Sequence, residues 1–181
     1  MRGKLLVLSG PGGVGKSTIS QELRKHHEFT LSVSYTTRLP RTGEIDGVHY
    51  HFVTNEKFDE LISTDAFLEF AEFAGNRYGT PKIDVEKARA AGKNVLLEIE
   101  ISGARQIRQH DRSAILVFLM PPSWEDLKAR IQGRGTDSAE RIQARLALAE
   151  AEMAAAPEFD HVIVNHRVED VVNGLIALAA T

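Results

Sequence analysis

Nine consecutive residues, Gly10 to Thr18, read GPGGVGKST. They satisfy the pattern G-x-x-x-x-G-K-[ST], between the apolar run Leu5–Ser9 and a stretch of helical spacing that starts at Lys16. A strand, a glycine loop and a helix in that order form the context in which this pattern binds phosphate. Glycine lets successive backbone N–H groups curl toward one anion, and the helix N-terminus adds its partial positive charge. Lys16 can reach a β- or γ-phosphate, and the Ser17 hydroxyl is a hard oxygen suited to Mg²⁺. Gly10, Gly12, Gly13, Val14, Gly15, Lys16, Ser17 and Thr18 are therefore expected to hold a nucleoside triphosphate, with Ser17 as the metal ligand.

A second concentration of chemistry lies in SVSYTTRLPRTGEIDGVHYHF, Ser32 to Phe52, where Arg38 and Arg41 stand among hydroxyls and the phenols of Tyr35 and Tyr50. A guanidinium fork matches phosphate oxygens two at a time, and a tyrosine adds a donor without adding a charge. Basic residues gather again late in the chain. Arg130 and Arg134 straddle IQG, and Arg141 and Arg145 share one face of a helix. His49 and His51 lie on one strand face without a third ligand nearby in the sequence, so a solvated strand is expected there rather than zinc. By alternation alone, Glu69 between Leu68 and Phe70 reads as the exposed face of a strand.

The elements that must carry these residues follow from periodicity. LLVLS, NVLLEIE, AILVFLM and HVIVN read as buried strands, and KSTISQELRKHH, GARQIRQH, SWEDLKARI and an Ala-rich run from about Ser138 to Ala155 read as helices. Ser123 with Asp126 makes a capping box, and Thr54 or Asn55 caps a helix from Glu56 to Ile62. AFLEFAEF reads as a strand, and shorter β-type pieces fall at Thr30–Thr36 and Tyr50–Val53. Pro81 suits the first turn of a helix that runs through Ala91 to Gly92. Apolar strands alternating with amphipathic helices predict an α/β fold, a parallel sheet with helices on both faces. Residues 32–80 break that rhythm and read as an inserted lobe of mixed β and α character.

Composition narrows the classes further. The chain has 181 residues, room for one domain or for one domain with a small inserted lobe. A net charge of −3 argues against a protein that coats nucleic acid or an anionic membrane. With no cysteine, disulfides, thiol catalysis and cysteine-bound zinc are excluded. No apolar run has spanning length, and a soluble, cytoplasmic protein is expected.

Beyond the phosphate loop, the segments SVSYTTRLPRTGE, DGVHYHF, FLEFAEFAGNRYGTP, PPSWEDLKARIQGRGT and VIVN succeed one another in the order and spacing of the guanylate kinases. From Leu5 to Asn165 the chain resembles that family, whose members phosphorylate GMP with ATP. The resemblance implies a P-loop NTPase-type core formed by residues 1–31 and 81–181, with a helical lid at about 123–145 and a GMP-binding lobe at 32–80. It implies that Arg38, Arg41, Tyr50 and Tyr78 grip the monophosphate, and that Ser34, Glu69 and Thr80 read the guanine. It also implies that Arg130, Arg134 and Arg145 close over the transferring group, that Lys16 and Arg38 act with them, and that Asn165 lies beside the adenine.

Guanine offers N1–H and an amine side by side to one carboxylate, whereas adenine would leave Glu69 unpaired, a difference worth on the order of 10⁴-fold. The family commonly has aspartates after the central strand, and here the sequence reads LEIEISGA. Glu98 is expected toward the Mg²⁺ region, and Glu100 toward the guanine or a phosphate-gripping arginine, both on the GMP side. The implied partners are ATP, GMP and Mg²⁺, with no nucleic acid or membrane, in a monomer or a dimer. A related kinase of a sugar phosphate and a non-catalytic binding module are the alternatives. The guanine-reading set weighs against the first, and the intact loop and lid arginines against the second.

Overall fold

The run Leu5–Ser9 forms β1, and all five of its residues are buried. The structure is a computed structural model that describes residues 1–133 and 138–181, so Arg134 and Gly135 lie outside the described residues. β1 pairs in parallel with β7 (Asn94–Glu98) and β8 (Ile115–Met120), and β2 (Phe29–Leu31) and β9 (His161–Val164) complete a five-stranded sheet of order β2-β7-β1-β8-β9. The two-residue period of the strand divides the core. Leu6 and Leu8 point to one face, against Ile19 and Leu23 of α1 (Lys16–Leu23), Leu127 of α5 (Trp124–Gln132) and Leu175 of α7 (Val168–Ala180). Leu5 and Val7 point to the other, against Val85 of α3 (Lys82–Ala90) and Ile107 of α4 (Ile101–His110). Both faces are thus covered, as the unbroken apolar strands require. No described helix is long and apolar enough to cross a membrane.

Between β2 and α3 the chain builds a second sheet of four strands, order β4-β3-β6-β5, from β3 (Tyr35–Thr36), β4 (His51–Phe52), β5 (Phe67–Phe73) and β6 (Asn76–Pro81). One more helix, α2 (Asn55–Ser63), is capped by Thr54, whose side chain accepts from Lys57 N–H. It buries Phe58 against Phe67, ring centroids 4.7 Å apart.

Three elements differ from the sequence reading. Helix α1 ends at Leu23 rather than reaching His27, because the chain must turn back for Phe29 to pair with Asn94. The β-type piece Thr30–Thr36 is divided between two sheets, Phe29–Leu31 in the core and Tyr35–Thr36 in the second. Pro81 is the last residue of β6 and stands just before α3, not inside it. The sequence NRYGTP has too little strand character to announce β6. Its partner imposes it: Ala74 and Gly75, at φ 51° and 74°, fold β5 back on itself.

Two positive φ values in a two-residue connection suit asparagine or glycine rather than alanine. Ala74→Asn is therefore expected to stabilise the fold by roughly 0.5–1 kcal/mol. A higher urea midpoint at unchanged slope would show this, and a lower midpoint would contradict the turn geometry.

Candidate active site

The phosphate loop leaves the end of β1 under two steric constraints. At Gly10, φ is 148° and an added Cβ would lie 2.5 Å from the Leu119 carbonyl. At Gly15, φ is 107° and a Cβ would meet the Asn165 amide nitrogen at 2.8 Å. Only glycine fits either place. The loop is braced from several elements at once. Asn165, buried at the end of β9, donates from Nδ2 to the Val14 carbonyl at 2.9 Å, and Arg130 on α5 donates to the same oxygen at 3.2 Å. Lys16 Nζ lies 2.5 Å from the Gly10 carbonyl, folded back across its own loop. The cleft above the loop, about 500 Å³, is lined by Gly13, Gly15, Lys16, Ser17, Thr18 and Arg130, with Glu98, Asn165, His166 and Val168 at its sides.

A second cleft of about 590 Å³ opens toward the four-stranded sheet and includes Ser34, Arg38, Arg41, Tyr50, Glu69 and Tyr78. Arg38 is its most organised group. Its two terminal nitrogens meet the two oxygens of Glu44 at 2.9 and 2.8 Å, and its guanidinium lies 5.4 Å from the centroid of Tyr50. The fork holds Glu44 below the usual carboxylate range, and the same hydrogen bond raises Arg38. Burial pushes the Tyr50 phenol up, with Glu98 and Tyr78 adding to the effect and Arg38 opposing it. Arg41 is exposed, and its backbone N–H donates to Glu44 at 2.7 Å. Sequence reading missed Glu44; its signal was the spacing, three residues after Arg41 and six after Arg38.

Glu69 corrects a sequence expectation, since it is 5% exposed rather than on the outer face of its strand. It shares the buried face of β5 with Phe67, two residues before it, while Phe70 lies on the exposed face. Thr80, fully buried, donates its hydroxyl to Glu69 Oε1 at 2.6 Å. That proton is committed to the carboxylate, so Thr80 does not donate to a base oxygen in this arrangement. Ser34 lines the cleft with its hydroxyl uncommitted among the described residues. Burial is the main reason that Glu69 rises from 4.5 to about 7, with the Thr80 hydrogen bonds opposing.

The two clefts meet at Ser17 and Glu98, which line both. The Ser17 hydroxyl donates to Glu98 Oε1 at 2.8 Å. Glu100, immediately before α4, lines the second cleft and also reaches Glu152 of helix α6 (Ala139–Met153). In the sequence Glu152 is simply one residue of the Ala-rich helical run. It is buried and accepts from Gly12 N–H at 3.1 Å, so α6 takes hold of the phosphate loop. Burial raises Glu152, and the nearby Glu100 adds to the rise. Arg145 is partly exposed on α6 and does not line the loop cleft, whereas Arg130 does. The expectation for Arg134 falls outside the described residues. Tyr35 stacks on His51 at 4.5 Å, and His49 Nδ1 accepts from Ile45 N–H at 3.0 Å, so both histidines are engaged in local structure.

Comparison with known proteins gives a consistent result. A family model described as guanylate kinase matches residues 2–179. A guanylate kinase of Streptomyces coelicolor is 57% identical over 178 residues, 98% of this chain and 90% of that one. One of Thermobifida fusca is 57% identical over 178 residues, 98% of this chain and 91% of its own. The crystal structure of guanylate kinase from Anaplasma phagocytophilum superposes with a TM-score of 0.80 at 34% identity, covering 98% of this chain and 84% of that one.

A buried carboxyl raised from 4.5 to about 7 favours folding most below 4.5, and that contribution is lost as pH rises through 7. Glu69→Gln, which carries no charge to bury, should therefore gain on the parent protein between pH 4.5 and 8. The relative gain is on the order of 2–3 kcal/mol. Urea unfolding of both proteins at several pH values checks this, and a pH-independent difference would contradict it.

Proposed function

The chain belongs to the guanylate kinase family, as a nucleoside monophosphate kinase that moves a phosphoryl group from ATP to GMP, and we propose that its two clefts divide that reaction. The phosphate-loop cleft takes ATP and the second cleft takes GMP. The observation that carries this reading is that Ser17 and Glu98 line both, so the donor's terminal phosphate and the acceptor's phosphate have one place to meet. Residues 32–80 act as the GMP lobe on a core of 1–31 and 81–181, with the lid at about 123–145. Arg24 on the core, donating to the Val48 carbonyl at 3.4 Å, is a contact between core and lobe.

An oxygen of the GMP phosphate attacks the γ-phosphorus of ATP in line, and the bond to the ADP oxygen breaks. That acceptor oxygen is already anionic at neutral pH, so the reaction needs alignment and charge neutralisation rather than a general base. Lys16 leaves the Gly10 carbonyl for the β- and γ-phosphates. Arg38 exchanges Glu44 for the GMP phosphate, with Arg41, Tyr50 and Tyr78 completing the grip. Arg130, Arg134 and Arg145 stabilise the transferring group as the lid closes and excludes water. Glu69, ionised, accepts from guanine N1–H and the amine, and Ser34 donates to the base oxygen. Thr80 holds the carboxylate. Asn165 keeps the loop's shape beside the adenine.

Ser17 and Glu98 present two hard oxygens 2.8 Å apart at the junction, a donor set that fits Mg²⁺, which takes one or two protein ligands beside phosphate and water. When bound, Mg²⁺ would offset charge on the β- and γ-phosphate oxygens. A cytoplasmic setting, where ATP and GMP are available together, completes the reading.

ADP formation from ATP and Mg²⁺ with GMP, AMP, UMP and ribose 1,5-bisphosphate as separate acceptors tests it. Rapid turnover is expected with GMP alone, with AMP at least about 10³-fold poorer in kcat/KM. Turnover of AMP at a comparable rate would remove Glu69 from base recognition, and turnover of the sugar phosphate alone would remove the guanine assignment altogether.

A further inference from the structure

Helix α4 carries a glycine, Gly103, in its first turn, and the helix itself gives no reason for one. Gly103 is buried and lacks a positive φ, and alanine is the better residue in an ordinary helical position. The reason comes from across the interface with β5. A Cβ added at Gly103 would lie 2.4 Å from Glu69 Oε2 and 3.1 Å from Glu69 Cδ, with Ile99 Cδ1 at 3.2 Å. The glycine of α7, Gly174, differs in kind: its nearest neighbour would be one flexible methyl of Ile163 at 3.3 Å.

Glu69 is held from its other side. Its Oε1 is held by the Thr80 hydroxyl at 2.6 Å. The strand beside it is fastened to α4 by a two-way clamp from Gln106, one turn after Gly103. Its Nε2 donates to the Phe70 carbonyl at 2.7 Å, and its Oε1 accepts from Phe70 N–H at 3.2 Å. The clamp fixes the spacing of strand and helix, and the missing side chain leaves the carboxylate its place within that spacing.

We propose that Gly103 and Gln106 are positioning residues for base selection: the core helix α4 sets where the carboxylate of the second sheet stands, Gly103 by giving it room and Gln106 by holding its strand. The inference rests on the assignment of Glu69 to the guanine. It explains why a specificity residue on a small, separate sheet stays in place, since its position is borrowed from the core.

The test compares GMP with IMP, which lacks the exocyclic amine, so that the ratio of their kcat/KM values reports the carboxylate's contact. Gly103→Ala is expected to raise the KM for GMP at least ten-fold, to bring the GMP/IMP ratio close to one, and to leave the KM for ATP within two-fold. Gln106→Ala should move the same two quantities in the same direction, by several-fold. Glu69→Ala alone tests the underlying assignment: if it leaves the ratio intact, that assignment fails.

If Glu69→Ala abolishes the ratio while Gly103→Ala and Gln106→Ala preserve it, the assignment stands and the present inference is overturned. Should Gly103→Ala fail to fold, the double variant Gly103→Ala/Glu69→Ala decides. A melting temperature at or above that of Glu69→Ala supports a clash with the carboxylate. A double variant that also fails to fold shows that the glycine serves helix packing, and sinks the proposal.

Discussion

A phosphate loop must offer backbone N–H groups to a ligand, so it cannot use most of them to hold its own shape. Its stability has to come from outside. Here the brace is distributed over the C-terminal ends of the core elements. The Leu119 carbonyl of β8 closes against Gly10, Asn165 at the end of β9 and Arg130 on α5 converge on the Val14 carbonyl, and Glu152 on α6 accepts from Gly12 N–H. The parallel strands bring Leu119 and Asn165 to the loop, since all their carboxyl ends lie at one edge of the sheet, and the helices α5 and α6 add Arg130 and Glu152 from their own sides. The order of the strands thus decides which residues can reach the loop. Changing one brace leaves the loop pattern intact in sequence while altering its geometry.

The surroundings of the two clefts hold carboxylates whose environments differ sharply. Glu44 is held in its charged form by the Arg38 fork, whereas Glu69 and Glu152 are pushed toward their neutral forms by burial. Glu98 stands between the clefts and takes a hydrogen bond from Ser17. One residue type therefore does several jobs within one continuous site, set by what each carboxyl can reach and how much water remains around it. A carboxyl raised to about 7 changes its charge near neutral pH, and only the charged form has both oxygens free to accept. The Arg38–Glu44 pair shows the opposite case, a guanidinium held in one orientation with its charge compensated by a two-point carboxylate contact.

Much of this was legible in the residues themselves. The apolar strands, the capped helices and the glycine loop follow from local chemistry, because their signals repeat within a few residues along the chain. The elements that escaped share one cause. β6 has little strand character of its own and exists because β5 folds back onto it. Helix α1 stops early because Phe29 has a partner at Asn94, distant in sequence. Glu44 and Glu152 look like ordinary surface acids in the sequence, since what distinguishes them is a donor brought close by the fold. Glu69 was misread because the buried face of its strand is the one that carries Phe67, two residues before it, whereas its neighbour Phe70 is exposed.

The sequence by itself determined the alternation of strands and helices, the phosphate-binding loop and, through the order of its motifs, the family. Those properties depend on residue type and short spacing, which a linear chain displays directly. Only the tertiary structure decided that Gly103 makes room for Glu69, that Gln106 fixes the strand beside it, and that α6 reaches the loop through Glu152. Each of these is a distance between residues far apart in the chain, and such distances come into being only when the sheet, its covering helices and the second sheet close on one another.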